Sequence, residues 1–389
     1  MEWVRIGDIG KIITGNTPSK KNLEFYKTKD IPFIGPSDIK NFREVNHLYE
    51  SEKFISHIAR SKARIVPKNS ILVTCIGNIG KVGKVEIEEI AFNQQINAII
   101  VEEQDYDVDY LLYALIFNQK RLESISNAPV VPIINKTAFA DFKIKIDKSI
   151  KNQKYISKCL NFISKLIILK KEQIQAYDDL IESLFFHILN NGNIEKNKLK
   201  DFIVTSQNGF SKRGKDSRGK IVLKIPNINY NYLNFENINR IKLDNKDFKK
   251  YLLNLGDLLL VRVNGNPNYV GRSTVFDYTL ENCCFNDHII RIKTKDINVR
   301  YLSYYINSIY GKNQLLQNIK TSAGQYTISR NGLDNIEILY PKREMQNYFE
   351  RVFNRVEEEK KKLNSSLKEL GDLFDALMQD AFSGNLFKD

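Results

Sequence analysis

The sequence predicts an α+β protein: two similar mixed α/β domains separated by a pair of long antiparallel coiled-coil helices, with pseudo-two-fold symmetry. Three observations predict it. The chain repeats itself at an offset close to 193 residues, two stretches carry an apolar heptad pattern in matching register, and the intervening segments alternate short strands with turn-rich loops.

The repeat rests on several landmarks. Phe92-Asn93-Gln94 returns as Phe285-Asn286-Asp287, and Gln153 and Tyr155 return as Gln346 and Tyr348, each 193 residues on. ILVTCIGNIGKVGKV (71–85) is similar to LLLVRVNGNPNYVGRSTV (258–275), DYLLYAL (109–115) to RYLSYYI (300–306), and FKIKI (142–146) to IEILY (336–340). Each match is weak alone; their common order and near-common offset carry the inference. The expected layout is a first domain at 1–147, a central long helix at 148–192, a second domain at 193–341 and a C-terminal long helix at 342–389.

In the first domain, Trp3-Val4-Arg5-Ile6 opens a strand and 13–22 (ITGNTPSKKN) is a loop of turn formers. Ile31–Ile34 is a short strand, and Asn69–Val73 leads into a loop containing Gly77, Gly80 and Gly83. Tyr106–Glu123 has helical periodicity. In the second domain, 209–215 (GFSKRGK) and 262–268 (RVNGNPN) match those two loops in place. A further polar loop, Ser322–Tyr326, parallels Asn127–Pro132.

The heptads are the sharpest feature. Steps of 4 and 3 from Ile156 give Leu160, Ile163, Ile167, Lys170, Ile174, Tyr177, Ile181, Leu184 and Ile188. Adding 193 gives Phe349, Phe353, Val356, Lys360, Leu363, Leu367, Leu370, Phe374, Leu377 and Ala381. Both rows are apolar or aromatic except for one lysine each, whose stem can lie along apolar surface with its ammonium in water. No proline interrupts either stretch, and Gly192 and Gly384 are placed to terminate them. Shared register predicts that the helices pair with each other. Connectivity makes that pairing antiparallel, with a globular head at each end of a stiff rod. Ile156 to Ile188 spans roughly 48 Å at about 1.5 Å per residue, which equals about 14 base pairs.

The formal net charge is +13, which favours a polyanionic partner. Its distribution is uneven. Residues 196–340 hold 23 Lys and Arg against 12 Asp and Glu, whereas 1–147 hold 20 against 19. Within the first region, 1–84 carry 15 basic against 8 acidic residues and 85–147 carry 5 against 11. One basic surface per domain is expected, the second stronger. Cys75, Cys159, Cys283 and Cys284 show no metal or disulfide spacing, and the four histidines do not cluster with them. The start MEWVRIGDIG lacks signal-peptide character, and LIIL (166–169) is too short to cross a bilayer, so a cytoplasmic protein is expected.

The order W-x-x-I-x-D-I, G-x-T-P-S, IPFIGPSDI, ILVTCIGNIGKVG and NQQ resembles the target-recognition domain of type I restriction enzyme specificity subunits. The duplication, the paired helices and the ending LFDALMQDAFSG (373–384) resemble that family too, over essentially the whole chain. The second half departs more: it lacks the T-P-S element, and Asn286-Asp287 replaces the first two residues of Asn-Gln-Gln. The resemblance implies that each head reads half of a bipartite double-stranded DNA site. It implies that the helices set the gap and dock two methyltransferase subunits, with a motor-nuclease subunit in the same complex. S-adenosylmethionine, ATP and magnesium would belong to those partners, and no cofactor to this chain.

Lys and Arg bind phosphates, while Arg, Asn and Gln match base edges. The glycine-flexed loops make the candidates Lys20, Lys21, Asn78, Lys81, Lys84, Gln94 and Gln95 in the first head. In the second they are Lys212, Arg213, Lys215, Arg262, Asn264, Asn266, Arg272, Gln325 and Tyr326. Catalytic readings fit poorly. Gly209-x4-Gly214-Lys215 suggests a phosphate loop, but Asp216 stands where Ser or Thr should hold magnesium. Gly77, Gly80 and Gly83 are not spaced as a dinucleotide fingerprint, and no Asn- or Asp-Pro-Pro-aromatic turn serves amino methylation. Glu358-Glu359-Lys360 reads as a helical charge run. A stand-alone DNA-modifying enzyme and a coiled-coil scaffold are the competing expectations.

Overall fold

A computed structural model describes residues 1–40, 46–126, 131–191, 194–277, 283–322 and 324–386. Four helices organise it: α1 (Val108–Phe117), α2 (Ile150–Asn191), α3 (Val299–Asn307) and α4 (Arg343–Ser383). The chain divides into two compact units, residues 1–173 with 363–389 and residues 174–362, so each unit takes one half of α2 and one half of α4.

In the first unit, a five-stranded sheet has the order Gly10–Thr14, Ile96–Val101, Ile71–Thr74, Val82–Val85, Asn46–Leu48. A four-stranded sheet follows the order Phe54–Ile55, Ile31–Ile34, Glu89–Phe92, Ile65–Pro67. Ile71–Thr74 is buried throughout, as a continuous apolar run in a central strand should be. Helix α1 is apolar nearly all round and buries Val108 and Tyr110–Ile116. Asp107 caps it, its side chain accepting from the Tyr110 amide at 2.9 Å. The ribbon Glu2–Arg5 with Lys143–Ile146 closes the unit beside the start of α2. Ile156, Leu160 and Ile163 of α2 share one core with Phe374, Met378, Ala381 and Phe382 of α4.

The second unit repeats the plan. Its ribbon pairs Glu195–Lys198 with Glu337–Tyr340, and a four-stranded sheet has the order Ile203–Asn208, Ile289–Thr294, Leu258–Val261, Ser273–Val275. Asn298 caps α3, accepting from the Arg300 and Tyr301 amides. A three-stranded sheet, Asn239–Ile241, Lys220–Leu223, Cys283–Phe285, lies over a satellite core with Phe276 and Leu233. Ile181, Phe185, Ile188 and Leu189 of α2 share a core with Phe349, Phe353 and Val356 of α4. Phe185 meets Phe349 at 5.8 Å between ring centroids, and Asp178 meets Lys360. One helix therefore ascends while the other descends, so the pairing within this unit is antiparallel.

Burial along the heptad rows is uneven. Ile156, Leu160, Ile163, Ile181, Ile188, Phe349, Phe353, Val356, Phe374 and Ala381 are buried, while Ile167, Ile174, Leu184, Leu363, Leu367, Leu370 and Leu377 are half-buried. Phe185, Leu189, Met378 and Phe382 are buried although they lie off the rows, because near its ends each helix faces both its partner and a head. Lys360 does not hold its ammonium in open water: it bonds Asp178 and Glu357. Gly384, at φ +84°, ends α4 in the left-handed conformation that favours glycine. Gly192 lies outside the described residues.

One buried hydrogen-bond device recurs at the foot of each head. Gln153, fully buried, accepts from the Asp107 amide at 2.8 Å and donates to the Asp147 carbonyl at 2.7 Å. Gln346, equally buried, accepts from the Asn298 amide at 2.9 Å and donates to the Pro341 carbonyl at 2.7 Å. Each glutamine ties the start of a long helix to the cap residue of the apolar helix beside it.

Candidate nucleic-acid interface

The two heads build their first polar loop in the same way. In the first, the strand Gly10–Thr14 runs antiparallel to Ile96–Val101 and turns out at Gly15, whose amide donates to the Ile96 carbonyl at 3.0 Å. A Cβ on Gly15 would stand 2.1 Å from the Asn93 carbonyl oxygen, so only glycine lets the loop back onto the turn Asn93–Gln95. Gly209 does the same at Asn286, where a Cβ would stand 2.2 Å from the carbonyl oxygen. Its amide donates to the Ile289 carbonyl at 3.1 Å. Each head thus locks a basic loop to a polar turn.

In the first head this places exposed Gln94 against the loop, with the Thr17 hydroxyl donating to Gln94 Oε1 at 2.7 Å. Lys20 and Lys21 are exposed on the same loop. The glycine loop joins another segment: the Gly77 amide donates to the Pro132 carbonyl at 2.9 Å, and Ile76 bridges Ile133. Asn78 is exposed beside them. Residues 127–130 of the matching polar loop lie outside the described residues.

In the second head Lys212, Arg213 and Lys215 are exposed on the first loop. The strand Val263–Asn264 pairs antiparallel with Gln325–Ile328, setting Asn264 opposite Tyr326, and Ile319–Ser322 adds a third strand. The Ile328 amide donates to the Arg262 carbonyl at 3.0 Å. Arg262, Asn264, Gln325 and Tyr326 are therefore brought together, although the sequence separates them by about sixty positions. Asn264 Oδ1 accepts from the Asn266 amide at 2.9 Å, and Asn266 Oδ1 from the Asn268 amide at 3.0 Å, which orders the loop.

Four candidates turn inward. Lys84 bonds Asp109 at 2.8 Å and Glu86 at 3.3 Å with 12% of its side chain exposed. Burial opposes both charges, but the contacts of Lys84 with Asp109 and Glu86, and of Asp109 with Lys84 and Asn161, together outweigh it. The ammonium is held above its ordinary pKa and the carboxyl, which also accepts from Asn161, below its own. Lys81 donates to the carbonyls of Pro36 and Ile39 at 3.3 and 3.0 Å. Gln95 accepts from the Asn93 side chain at 3.1 Å. Arg272 lies over the rings of Tyr269 and Tyr230, at 5.2 and 5.8 Å, and donates to the Ile225 carbonyl at 3.2 Å. Burial lowers its pKa. Each of the four braces a loop from within.

The sequence reading missed a basic groove in the first head. A cavity of about 730 Å³ is lined by Lys11, Thr14, Arg60, Arg64, Glu88, Glu89 and Lys136 among others. Only Lys11 carried a signal, since alternation in GKIIT turns it away from the buried Ile12. The rest converge from distant segments. No cluster of three His, Cys, Asp or Glu suited to a metal occurs among the described residues. Cys75, Cys283 and Cys284 are buried thiols, each pushed up to about 12 by burial, the opposite of what a nucleophilic cysteine needs. No described helix is long and apolar enough to cross a membrane.

Comparison with known proteins agrees with this construction. The family model for the type I restriction modification DNA specificity domain matches residues 1–176. The chain is 23% identical to the type I restriction enzyme StySPI specificity subunit of Salmonella potsdam, over 98% of this chain and 88% of that one. The type I restriction-modification system S subunit from M. genitalium superposes with a TM-score of 0.61 at 12% identity, over 98% of this chain and 96% of that one. A chain from a structural study of complex assembly and conformational transition of the type I R-M system superposes with a TM-score of 0.56 at 14% identity, over 99% and 98%. Residues 1–176 belong to the type I restriction modification DNA specificity domain family, and over nearly its whole length the chain is similar to specificity subunits of type I restriction–modification systems.

Proposed function

We propose that each head reads one half of a two-part sequence in double-stranded DNA, and that the two long helices fix the gap between the halves. DNA sequence recognition is the role of this family, and the chain is its non-catalytic subunit. The observation that carries the two-part reading is the duplicated loop anchor. Gly15 on Asn93 and Gly209 on Asn286 each bind a basic loop to a polar turn. Positioning cations, base-matching amides and one phenol stand on that loop and its neighbours: Lys20, Lys21, Asn78 and Gln94 in one head, and Lys212, Arg213, Lys215, Arg262, Asn264, Asn266, Gln325 and the phenol Tyr326 in the other.

Methyltransferase subunits would dock on the helices and a motor-nuclease subunit would join them, in the cytoplasm where host DNA lies. That assignment is supported by the family and by the likeness to a chain studied in complex assembly. Co-expression with methyltransferase subunits, followed by mapping of methylated positions in host DNA, tests the proposal. The expected motif is split, with a gap of fixed length. A continuous motif, or methylation by the chain alone, contradicts it.

A further inference from the structure

The basic groove of the first head is formed by two sheet edges. One wall is the edge strand Gly10–Thr14 of the five-stranded sheet, and the other is the edge strand Ile65–Pro67 of the four-stranded sheet. Four cations line it, Lys11, Arg60, Arg64 and Lys136, against two carboxylates, Glu88 and Glu89. Arg60 is engaged by Glu89, which raises its pKa. Lys11, Arg64 and Lys136 are exposed and make no ion pair with any described residue. Lys11, Arg64 and Lys136 face only one further carboxylate in the lining, Glu88, so the concavity is net positive and favours a bound anion.

The groove adjoins both polar loops of this head. Thr14 lies in its wall and the first loop leaves at Gly15. Asn16 fastens that loop to the opposite wall, donating to the Lys62 carbonyl at 2.7 Å and accepting from the Arg64 amide at 2.6 Å. Lys136 follows the segment whose Ile133 bridges Ile76 and whose Ile134 amide donates to Cys75. The second head repeats this set only in part. Four residues before Gly209 stands Thr205, where Lys11 stands four before Gly15. Arg330, which follows its cap Ser329 as Lys136 follows Asn135, donates to the Ser206 carbonyl at 3.2 Å.

We infer that this groove binds phosphodiester oxygens of the DNA strand flanking the first half-site, through Lys11, Arg64 and Lys136. In the second head the residue at the place of Lys11 is uncharged Thr205, and Arg330, at the place of Lys136, is tied to the Ser206 carbonyl. The inference rests on the DNA-reading function and adds to it a sequence-independent anchor in the first head. Phosphate contacts fix register without selecting bases, so the groove supplies affinity while the loops supply the motif.

The test is the salt dependence of binding by the full chain to a duplex of arbitrary sequence. Each phosphate contact adds about 0.9 to the slope of log K against log salt concentration. The variant K11A/R64A/K136A is expected to lower that slope by about 2 to 3. It should leave the motif methylated by the co-expressed complex unchanged. The variant K11R/K136R keeps the charges and should keep the slope. An unchanged slope in the triple variant, with normal binding by the wild type, overturns the groove alone. A changed first half-motif overturns it too, because the groove would then be reading bases. Absence of duplex binding by the wild type overturns the DNA reading as well.

Discussion

Lys360 Nζ of α4 lies 2.6 Å from Asp178 Oδ1 of α2, joining the two long helices at a heptad position that an aliphatic residue would otherwise hold. The ammonium also bonds Glu357 one turn away at 2.8 Å. Burial works against the charge, but the two carboxylates more than offset it and hold the ammonium above its ordinary pKa. The contribution is therefore complete below lysine's ordinary value of about 10.4 and fades as pH rises through the raised one. Asp178 is half exposed, so solvent screens the pair. A double-mutant cycle of Lys360→Met and Asp178→Asn, read by denaturant unfolding, should give a coupling of about 0.5 to 1 kcal/mol at pH 7. Zero coupling would reduce the contact to coincidence.

The two buried glutamines should be interchangeable in consequence. Gln153→Ala leaves the Asp107 amide without its acceptor, and Gln346→Ala does the same to Asn298. Each should cost about 1 to 3 kcal/mol. Hydrogen exchange should accelerate at the amide of 107 in one variant and of 298 in the other. Acceleration at both sites in either variant would mean that the heads are not independent units.

Gly15→Ala and Gly209→Ala test the loop anchors. A Cβ at either site collides with a carbonyl oxygen, so the polar turn must move. In the co-expressed complex, Gly15→Ala should degrade recognition of the first half of the motif and Gly209→Ala the second. Mapping methylated sites reads both.

Lys84 is expected to act on folding. Its bond to Asp109 is largely screened from water, and Lys84→Met strands the carboxylate. The loss at pH 7 should be about 2 kcal/mol, below the ~3 to 5 kcal/mol of fully buried pairs because Asp109 keeps some exposure. The Asp109 pKa is depressed in the folded state. Its stabilisation is therefore present above the ordinary carboxylate value of about 3.9 and lost as pH falls through the folded one. The stability gap between variant and wild type should hold near pH 7 and shrink below about pH 4. A gap unchanged down to pH 2 would remove Asp109 from the explanation.

The repeat and the helices were legible because each is written in local patterns. The 193-residue offset joins Gln153 to Gln346, and the structure gives both residues the same two hydrogen bonds. The heptads delimit helices found at Ile150–Asn191 and Arg343–Ser383. Phe185 and Phe382 escaped, because their burial comes from contact with a head as well as with the partner helix. Among the interface candidates, glycine-rich context marked Lys84 as an exposed loop cation. Its partner Asp109 stands 25 residues on, and nothing local announces the pair. Arg64 and Lys136 were missed for the same reason: their groove exists only once two sheet edges meet. Local pattern reveals elements, while the fate of a charge depends on residues brought in from elsewhere.

The most direct measurement replaces the first-loop residues 210–215 and the hairpin residues 319–328 of the second head with polar residues of the same length. The methylated motif of the complex is then mapped. Two independent reading heads predict loss or change of one half of the motif, with the other half and its base sequence intact. A change in both halves together would contradict the account.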